Sequence, residues 1–110
     1  MVRVAVIVLS VLLSSAAHAQ SIRMKNYLHP ENDRIRFLNE TYLAGAIDAL
    51  TAYNMAASTK LFCKEGGVIN HEEAAQLIAD WASKQTKNQD DTLIVIPLLF
   101  LLKKNYPCSP

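Results

Sequence analysis

The residues best suited to chemistry beyond position 19 are two cysteines, Cys63 and Cys108, and two histidines, His29 and His71. They are scattered along the chain without the short spacings at which metal ligands occur. Neither histidine lies in a motif with a serine, threonine or cysteine nucleophile, and His71 suits the first turn of a capped helix. The sequence therefore predicts no metal site, no cofactor and no nucleophile paired with a base.

The acidic residues give no clearer sign of catalysis. Glu72 and Glu73 are adjacent, and because successive helix positions face different directions they do not imply a general acid and base pair. We interpret them as favourable charges at a helix N-terminus, and Asp48 as a solvated residue. No glycine-rich phosphate loop follows a strand. These patterns favour a protein that binds a partner over an enzyme.

Residues 1–19 are typical of a secretory signal peptide. Arg3 precedes an apolar run, and Ala17 and Ala19 supply the small residues that a signal peptidase requires. The alternative is an N-terminal anchor that stays in place, but the apolar run of about 10 residues is shorter than the roughly 20 that span a bilayer. Cleavage after Ala19 would leave one domain, residues 20–110.

Export determines how we interpret the cysteines. In an oxidising compartment, Cys63 and Cys108 are expected to form a disulfide. Closing a loop of this span would stabilise the fold by about 4 kcal/mol in the chain-entropy model. Two unpaired buried thiols and an intermolecular bridge are the alternatives.

The mature chain carries no net charge. The 11 basic residues include Arg3, so the other 10 balance the 10 acidic residues. The basic residues are also dispersed rather than clustered. We therefore expect neither a nucleic-acid partner nor binding to an anionic membrane surface.

The first mature segments are an extended arm and a long helix. Residues 20–31 lack a clear period, and Pro30 keeps His29 out of a helix. From about Asn32 to about Ser58, apolar residues recur at helical spacing, and Gly45 among them suggests that another backbone approaches closely. The predicted buried face comprises Ile35, Leu38, Tyr42, Ala46, Ala49, Tyr53 and Ala56.

A second helix follows a turn at residues 64–69, whose paired glycines tolerate positive φ. Asn70 is the predicted N-cap, and Glu73 would complete a capping box. The predicted buried stripe is Ala74, Leu77, Ile78 and Trp81. The helix ends in residues 83–89, a polar connector without a hydrophobic anchor.

The third helix is predicted from the apolar run 93–102, with Asp90 or Asp91 as its cap. Pro97 would kink it, or alternatively would open a helix after a short strand. Lys103 and Lys104 suit its C-terminal end, and Pro107 stops it before Cys108. The expected fold is all-α, a small bundle of three to four helices tied by one disulfide.

These features together resemble a known family. The segments are FLNETYLAGAIDAL at 37–50, LFC at 61–63, a helix from Val68-Ile69 to Trp81, and the run from Leu98 that ends in NYPC at 105–108. In this order they are similar to the Rap/Tai family of small periplasmic proteins. That family includes immunity proteins of type VI secretion amidase effectors.

The resemblance implies an all-helical periplasmic domain, often dimeric, that plugs the active-site cleft of a cell-wall amidase. An inhibitor of this kind needs a rigid scaffold and a projecting loop. One candidate contact site is the polar connector, with Lys84, Lys87, Asn88 and Gln89, and the other is the glycine turn, with Lys64 and Glu65. A small periplasmic chaperone and an adaptor protein for another partner are the alternatives.

Overall fold

The computed structural model describes residues 22–109, so the predicted signal peptide lies outside the described part. The helices there are α1 (Met24–Leu28), α2 (Asp33–Ala56), α3 (His71–Ser83) and α4 (Val95–Asn105). The described residues contain no strand beyond an isolated antiparallel bridge between Arg23 and Leu93. The predicted all-α class is therefore confirmed. None of the helices in residues 22–109 has both the length and the hydropathy needed to cross a bilayer.

Helix α1 corrects the expectation of an extended arm over residues 20–31. Arg23 is extended (φ −86°, ψ 153°), but Met24–Leu28 forms a short helix that ends before Pro30. The Met24 side chain is 1% exposed in the core. Burial of this side chain and backbone pairing of its segment outweigh the weak local preference of a five-residue helix.

Helix α2 begins where the sequence predicted, because the Asn32 side chain accepts a hydrogen bond from the Ile35 N–H at 2.9 Å. Only part of its predicted buried face is confirmed, because Tyr42 and Ala46 are partly buried against the core. Asn39, Leu43 and Ile47 are buried, whereas Leu38 and Tyr53, assigned to the core, are 47% and 60% exposed.

The core-facing stripe is rotated by about one residue, or 100°, from the apolar stripe in the sequence. Gly45 lies outside it, and a Cβ added at Gly45 would meet nothing within 4 Å. The expected close approach of a second backbone at this glycine is therefore wrong within the described chain.

Helix α3 matches its prediction at both ends. Asn70 Oδ1 accepts from the Glu73 N–H at 2.8 Å, and Ala74 and Ile78 are fully buried. Trp81 is partly buried against the same core. The capping box is only half formed, because the Glu73 carboxylate bonds to other side chains instead of returning to the cap.

Helix α4 starts later than expected. Ile94 is its N-cap residue and provides no side-chain hydrogen bond, so the prediction that Asp90 or Asp91 caps it is wrong. Pro97 is the third residue of the helix, in the first turn, where a missing N–H costs no intrahelical bond. It therefore neither kinks the helix nor separates two elements.

The core lies around α3, which packs against both α2 and α4. Its least exposed large side chains come from every helix and from the segment before Cys63; they are Met24, Leu43, Ile47, Phe62, Ile78, Ile94, Leu98 and Leu102. The predicted disulfide between Cys63 and Cys108 is present, with Cα atoms 4.9 Å apart. It joins the chain after α2 to the chain after α4.

Candidate partner-binding surface

The first candidate contact site is the loop of residues 84–92, which forms most of the segment between α3 and α4. Lys84 closes α3 by donating its backbone N–H to the Trp81 carbonyl at 3.1 Å. Lys87 and Asn88 are exposed, and Gln89 is half-buried. The four residues predicted for this site thus lie together on one loop, where Lys84, Lys87 and Asn88 are exposed.

Hydrogen bonds within the loop fix its shape. Asn88 Oδ1 accepts from the Asp90 N–H at 2.8 Å, an Asx turn of the kind that short polar side chains favour. The Thr92 hydroxyl donates to Gln89 Oε1 at 3.0 Å, and the Thr92 N–H donates to the Gln89 carbonyl at the same distance. Asn88 and Gln89 therefore shape the loop, and Lys87 makes no ion pair within residues 22–109.

Residues 22–25, which we call the N-terminal strap, hold the far side of the loop. The Met24 N–H donates to the Thr92 carbonyl at 2.8 Å, and the Lys25 N–H donates to the Asp90 carbonyl at 3.1 Å. In the other direction, the Ile94 N–H donates to the Ile22 carbonyl at 3.0 Å.

The guanidinium of Arg23, also in the strap, donates to the Asp91 carbonyl at 2.6 Å. The segment after α3 was expected to lack a hydrophobic anchor, and none of residues 84–91 is buried. Backbone hydrogen bonds nevertheless anchor the far end of this segment, and no sequence pattern predicts them. The loop is an ordered polar surface rather than a loose linker.

At the second candidate contact site, Lys64 is engaged in interactions within the chain. Lys64 Nζ lies 2.5 Å from Glu73 Oε2 and 5.6 Å from the centre of the Tyr106 ring. The Tyr106 hydroxyl also donates to the Glu73 carboxylate. Lys64 is thus part of a half-buried cluster with Glu73 and Tyr106, whereas Glu65 is exposed.

This cluster shifts two ionisation equilibria. The hydrogen bond from Lys64 and then that from Tyr106 lower the pKa of Glu73 below its ordinary value. Burial, followed by the hydrogen bond to Glu73, raises the pKa of Tyr106 to about 12. The cluster therefore favours ionised Glu73 and neutral Tyr106 at physiological pH, which suits a structural role.

The two candidate sites lie at opposite ends of α3. Lys64 contacts the first turn of this helix through Glu73, and Lys84 follows its last residue. A helix of 13 residues is about 18 Å from its first to its last Cα. The predicted contact residues therefore form two separate surfaces.

Asn54, which the sequence did not single out, shapes the chain near the disulfide. Its Oδ1 atom accepts from the Leu61 N–H at 2.7 Å, and its Nδ2 atom donates to the Phe62 carbonyl at 2.8 Å. These bonds direct the chain back from α2 to Cys63. No sequence signal marks Asn54, because its partners lie in an irregular segment.

Asn39 is the other polar residue that was missed. It is 5% exposed, and its Nδ2 atom donates to the Asn26 carbonyl at 3.0 Å. Its spacing of four and eight residues from Leu43 and Ile47 is a signal that could have identified it as part of the buried face.

A third surface is an apolar groove between α2 and α4 with a volume of about 580 Å³. No charged residue lines it; its walls are Thr41, Tyr42, Gly45, Ala46, Ala49, Leu50 and Val95. Ile96 and Phe100, on the outer face of α4, are 61% and 55% exposed. The apolar stripe predicted for α2 thus lies partly at the surface, in this groove.

Residues 22–109 contain no group of three histidine, cysteine or acidic side chains placed to hold a metal ion. In comparisons with protein-family models, curated proteins and solved structures, the chain has no significant match.

Proposed function

We propose that the mature chain is a periplasmic immunity protein that binds and inhibits a peptidoglycan amidase effector of a type VI secretion system. The observation that carries this proposal is the loop of residues 84–92, an exposed polar loop fixed to a disulfide-tied helical scaffold. The resemblance to the Rap/Tai family supplies the class of partner. The disulfide suits the oxidising periplasm.

The ordered loop suits inhibition for an energetic reason. A flexible loop loses conformational entropy when a partner immobilises it, whereas a loop already held by hydrogen bonds loses less. Lys87 and Asn88, at the accessible part of the loop, would enter or cover the amidase cleft and exclude the cell-wall substrate. The helical core needs no rearrangement for this contact.

We expect a gene for a peptidoglycan amidase next to the gene for this protein, and the test uses the amidase that it encodes. Purified mature protein should inhibit peptidoglycan hydrolysis by that amidase at a one-to-one ratio. Lys87→Glu should weaken inhibition more than tenfold, because energy in such interfaces is concentrated in a few central residues. Lys104→Glu, in the last turn of α4 at the end of that helix away from the loop, is the matched control with the same net charge.

The proposal fails if the wild-type protein does not inhibit the amidase. The assignment of the loop fails if inhibition survives Lys87→Glu, or if Lys104→Glu weakens it equally. Since both variants have the same net charge, a difference between them reports local contact rather than long-range attraction.

The groove between α2 and α4 favours a second candidate function, that of a small chaperone or adaptor. Its charge-free lining would suit an apolar segment of another protein. A chaperone would suppress aggregation of a thermally unfolded client, and Ala49→Glu, which places a charge in the groove, would abolish that effect. Unchanged client aggregation in the presence of the wild-type protein would exclude it.

The same groove would also suit a homodimer, with the apolar face of one copy against that of the other. Analytical ultracentrifugation should then show a dimer that Ala49→Glu converts to a monomer, because the substitution places a charge in the groove. A monomeric wild-type protein at high micromolar concentration would contradict this proposal.

A further inference from the structure

We propose that the N-terminal strap sets the conformation of the 84–92 loop, and that Arg23 is a positioning residue for partner binding. The proposal rests on the proposed function for the identity of the partner, the amidase. It concerns the residues of the strap, which are far from the loop in sequence. These residues would not themselves contact the partner.

The strap supplies the loop with its main contacts outside its own segment. None of residues 84–91 is buried, so packing of apolar side chains does not hold this part of the loop. Three backbone hydrogen bonds, from Met24 and Lys25 and to Ile22, join the strap to residues 90–94 instead. Arg23 adds a charged donor to the Asp91 carbonyl.

The strap is itself fixed to the core. Met24 is 1% exposed, and the helix that it starts is joined to α2 through the Asn26 carbonyl, which accepts from Asn39. The loop therefore connects to the core by a route other than its own ends in α3 and α4. Loss of the strap bonds should loosen the loop while the core stays folded.

Arg23→Ala in the full mature protein is the first test, with Arg34→Ala as the control. Both arginines are exposed, and Arg34, in the first turn of α2, makes no hydrogen bond to the loop. Amide hydrogen exchange at Asp90, Thr92 and Ile94 should become about three- to tenfold faster in Arg23→Ala, the range expected for one lost hydrogen bond. Exchange at Ile78 in α3 should not change in either variant.

Met24→Pro and Met24→Ala form a second matched pair. Both remove the buried side chain, but only proline removes the N–H that donates to the Thr92 carbonyl. Met24 is the first residue of α1 and follows an extended residue, a position that accepts proline. The two variants are compared at equal free energy of unfolding, which is obtained by adding an osmolyte to the less stable one. Under that condition the loop amides should exchange faster in Met24→Pro than in Met24→Ala.

Binding to the amidase separates positioning from simple stabilisation. A loosened loop adopts the binding conformation for only part of the time. Arg23→Ala should therefore slow association with the amidase and raise the Kd about three- to tenfold. Its melting temperature should not change. Arg23→Lys, which retains a charged donor, should restore part of the affinity. Arg34→Ala should bind as the wild type does.

The two proposals fail separately. If the wild type does not bind the amidase, the proposed function is wrong, and the exchange measurements still decide the role of the strap. The strap does not set the loop conformation if the loop amides exchange equally fast in Arg23→Ala and Arg34→Ala, and equally fast in Met24→Pro and Met24→Ala. Faster loop exchange with an unchanged Kd would show that Arg23 does not position the loop for this partner.

Discussion

Three side chains distant in sequence, Lys64, Glu73 and Tyr106, meet beside the disulfide. Lys64 leads into the glycine turn, Glu73 lies in the first turn of α3, and Tyr106 follows α4. The Cys63 N–H also donates to the Tyr106 carbonyl at 2.7 Å. The cluster thus joins the ends of two helices and a turn at one point.

The ionisation of Glu73 makes this cluster sensitive to acid. Because the folded-state pKa of Glu73 is lowered from its ordinary value of 4.5, its contribution is present above pH 4.5 and is lost as the pH falls through the folded-state pKa. Glu73→Gln should therefore cost about 1 kcal/mol of unfolding free energy at pH 7 and much less at pH 3. Chemical denaturation of both proteins at each pH measures this difference.

Glu65→Gln is the control for that experiment, because it makes the same chemical change at an exposed glutamate of the adjacent turn. Its effect on unfolding free energy should stay within about 0.5 kcal/mol at both pH values. A cost at Glu73 that does not depend on pH would show that its charge is not what stabilises the cluster.

Helix α2 shows why an apolar pattern can point to the wrong face. The buried face contains a polar residue, Asn39, so its apolar pattern is interrupted, whereas the neighbouring face with Ala49 and Tyr53 reads as continuous. Burial of Asn39 depends on its bond to the Asn26 carbonyl, a partner that periodicity alone cannot reveal.

The observed orientation of α2 predicts unequal effects at two leucines. Leu43 is 1% exposed, so Leu43→Ala should lower the free energy of unfolding by about 2–5 kcal/mol through lost burial and a residual cavity. Leu38 is 47% exposed, and Leu38→Ala should cost less than about 1 kcal/mol. Urea denaturation of the two variants gives both values, and equal losses would contradict this orientation of the helix.

Structural features that depend on neighbouring residues were predictable from the sequence, whereas contacts between distant segments were not. The cap at Asn70 and the positive φ of Gly66 and Gly67 depend on neighbouring residues and were identified correctly. The strap could not be identified, because Arg23 and Asp91 are 68 positions apart and the other strap bonds use backbone atoms.

The two candidate contact sites show the same contrast between local signals and contacts made elsewhere in the fold. The connector residues lie on one loop because they are close in sequence. Lys64, a predicted contact residue, pairs with Glu73 across the glycine turn, and the sequence assigns Glu73 to the helix cap instead. The pairing of Cys63 with Cys108 was predicted because the mature chain has no other cysteine.

The disulfide closes a loop between residues 45 positions apart, a segment that contains all of α3 and α4. In the unfolded chain this closure excludes many conformations, so its removal should lower the free energy of unfolding by about 2–5 kcal/mol. The apolar contacts of α3 with α2 and α4 do not involve either cysteine. We therefore expect the double variant Cys63→Ala/Cys108→Ala to keep its helical circular dichroism at 25 °C. It should unfold at a lower urea concentration than the oxidised wild type. The wild type in a reducing agent is the control, since it should match the double variant without any change of sequence. Equal urea midpoints for the oxidised wild type and the double variant would show that the helical core alone determines stability.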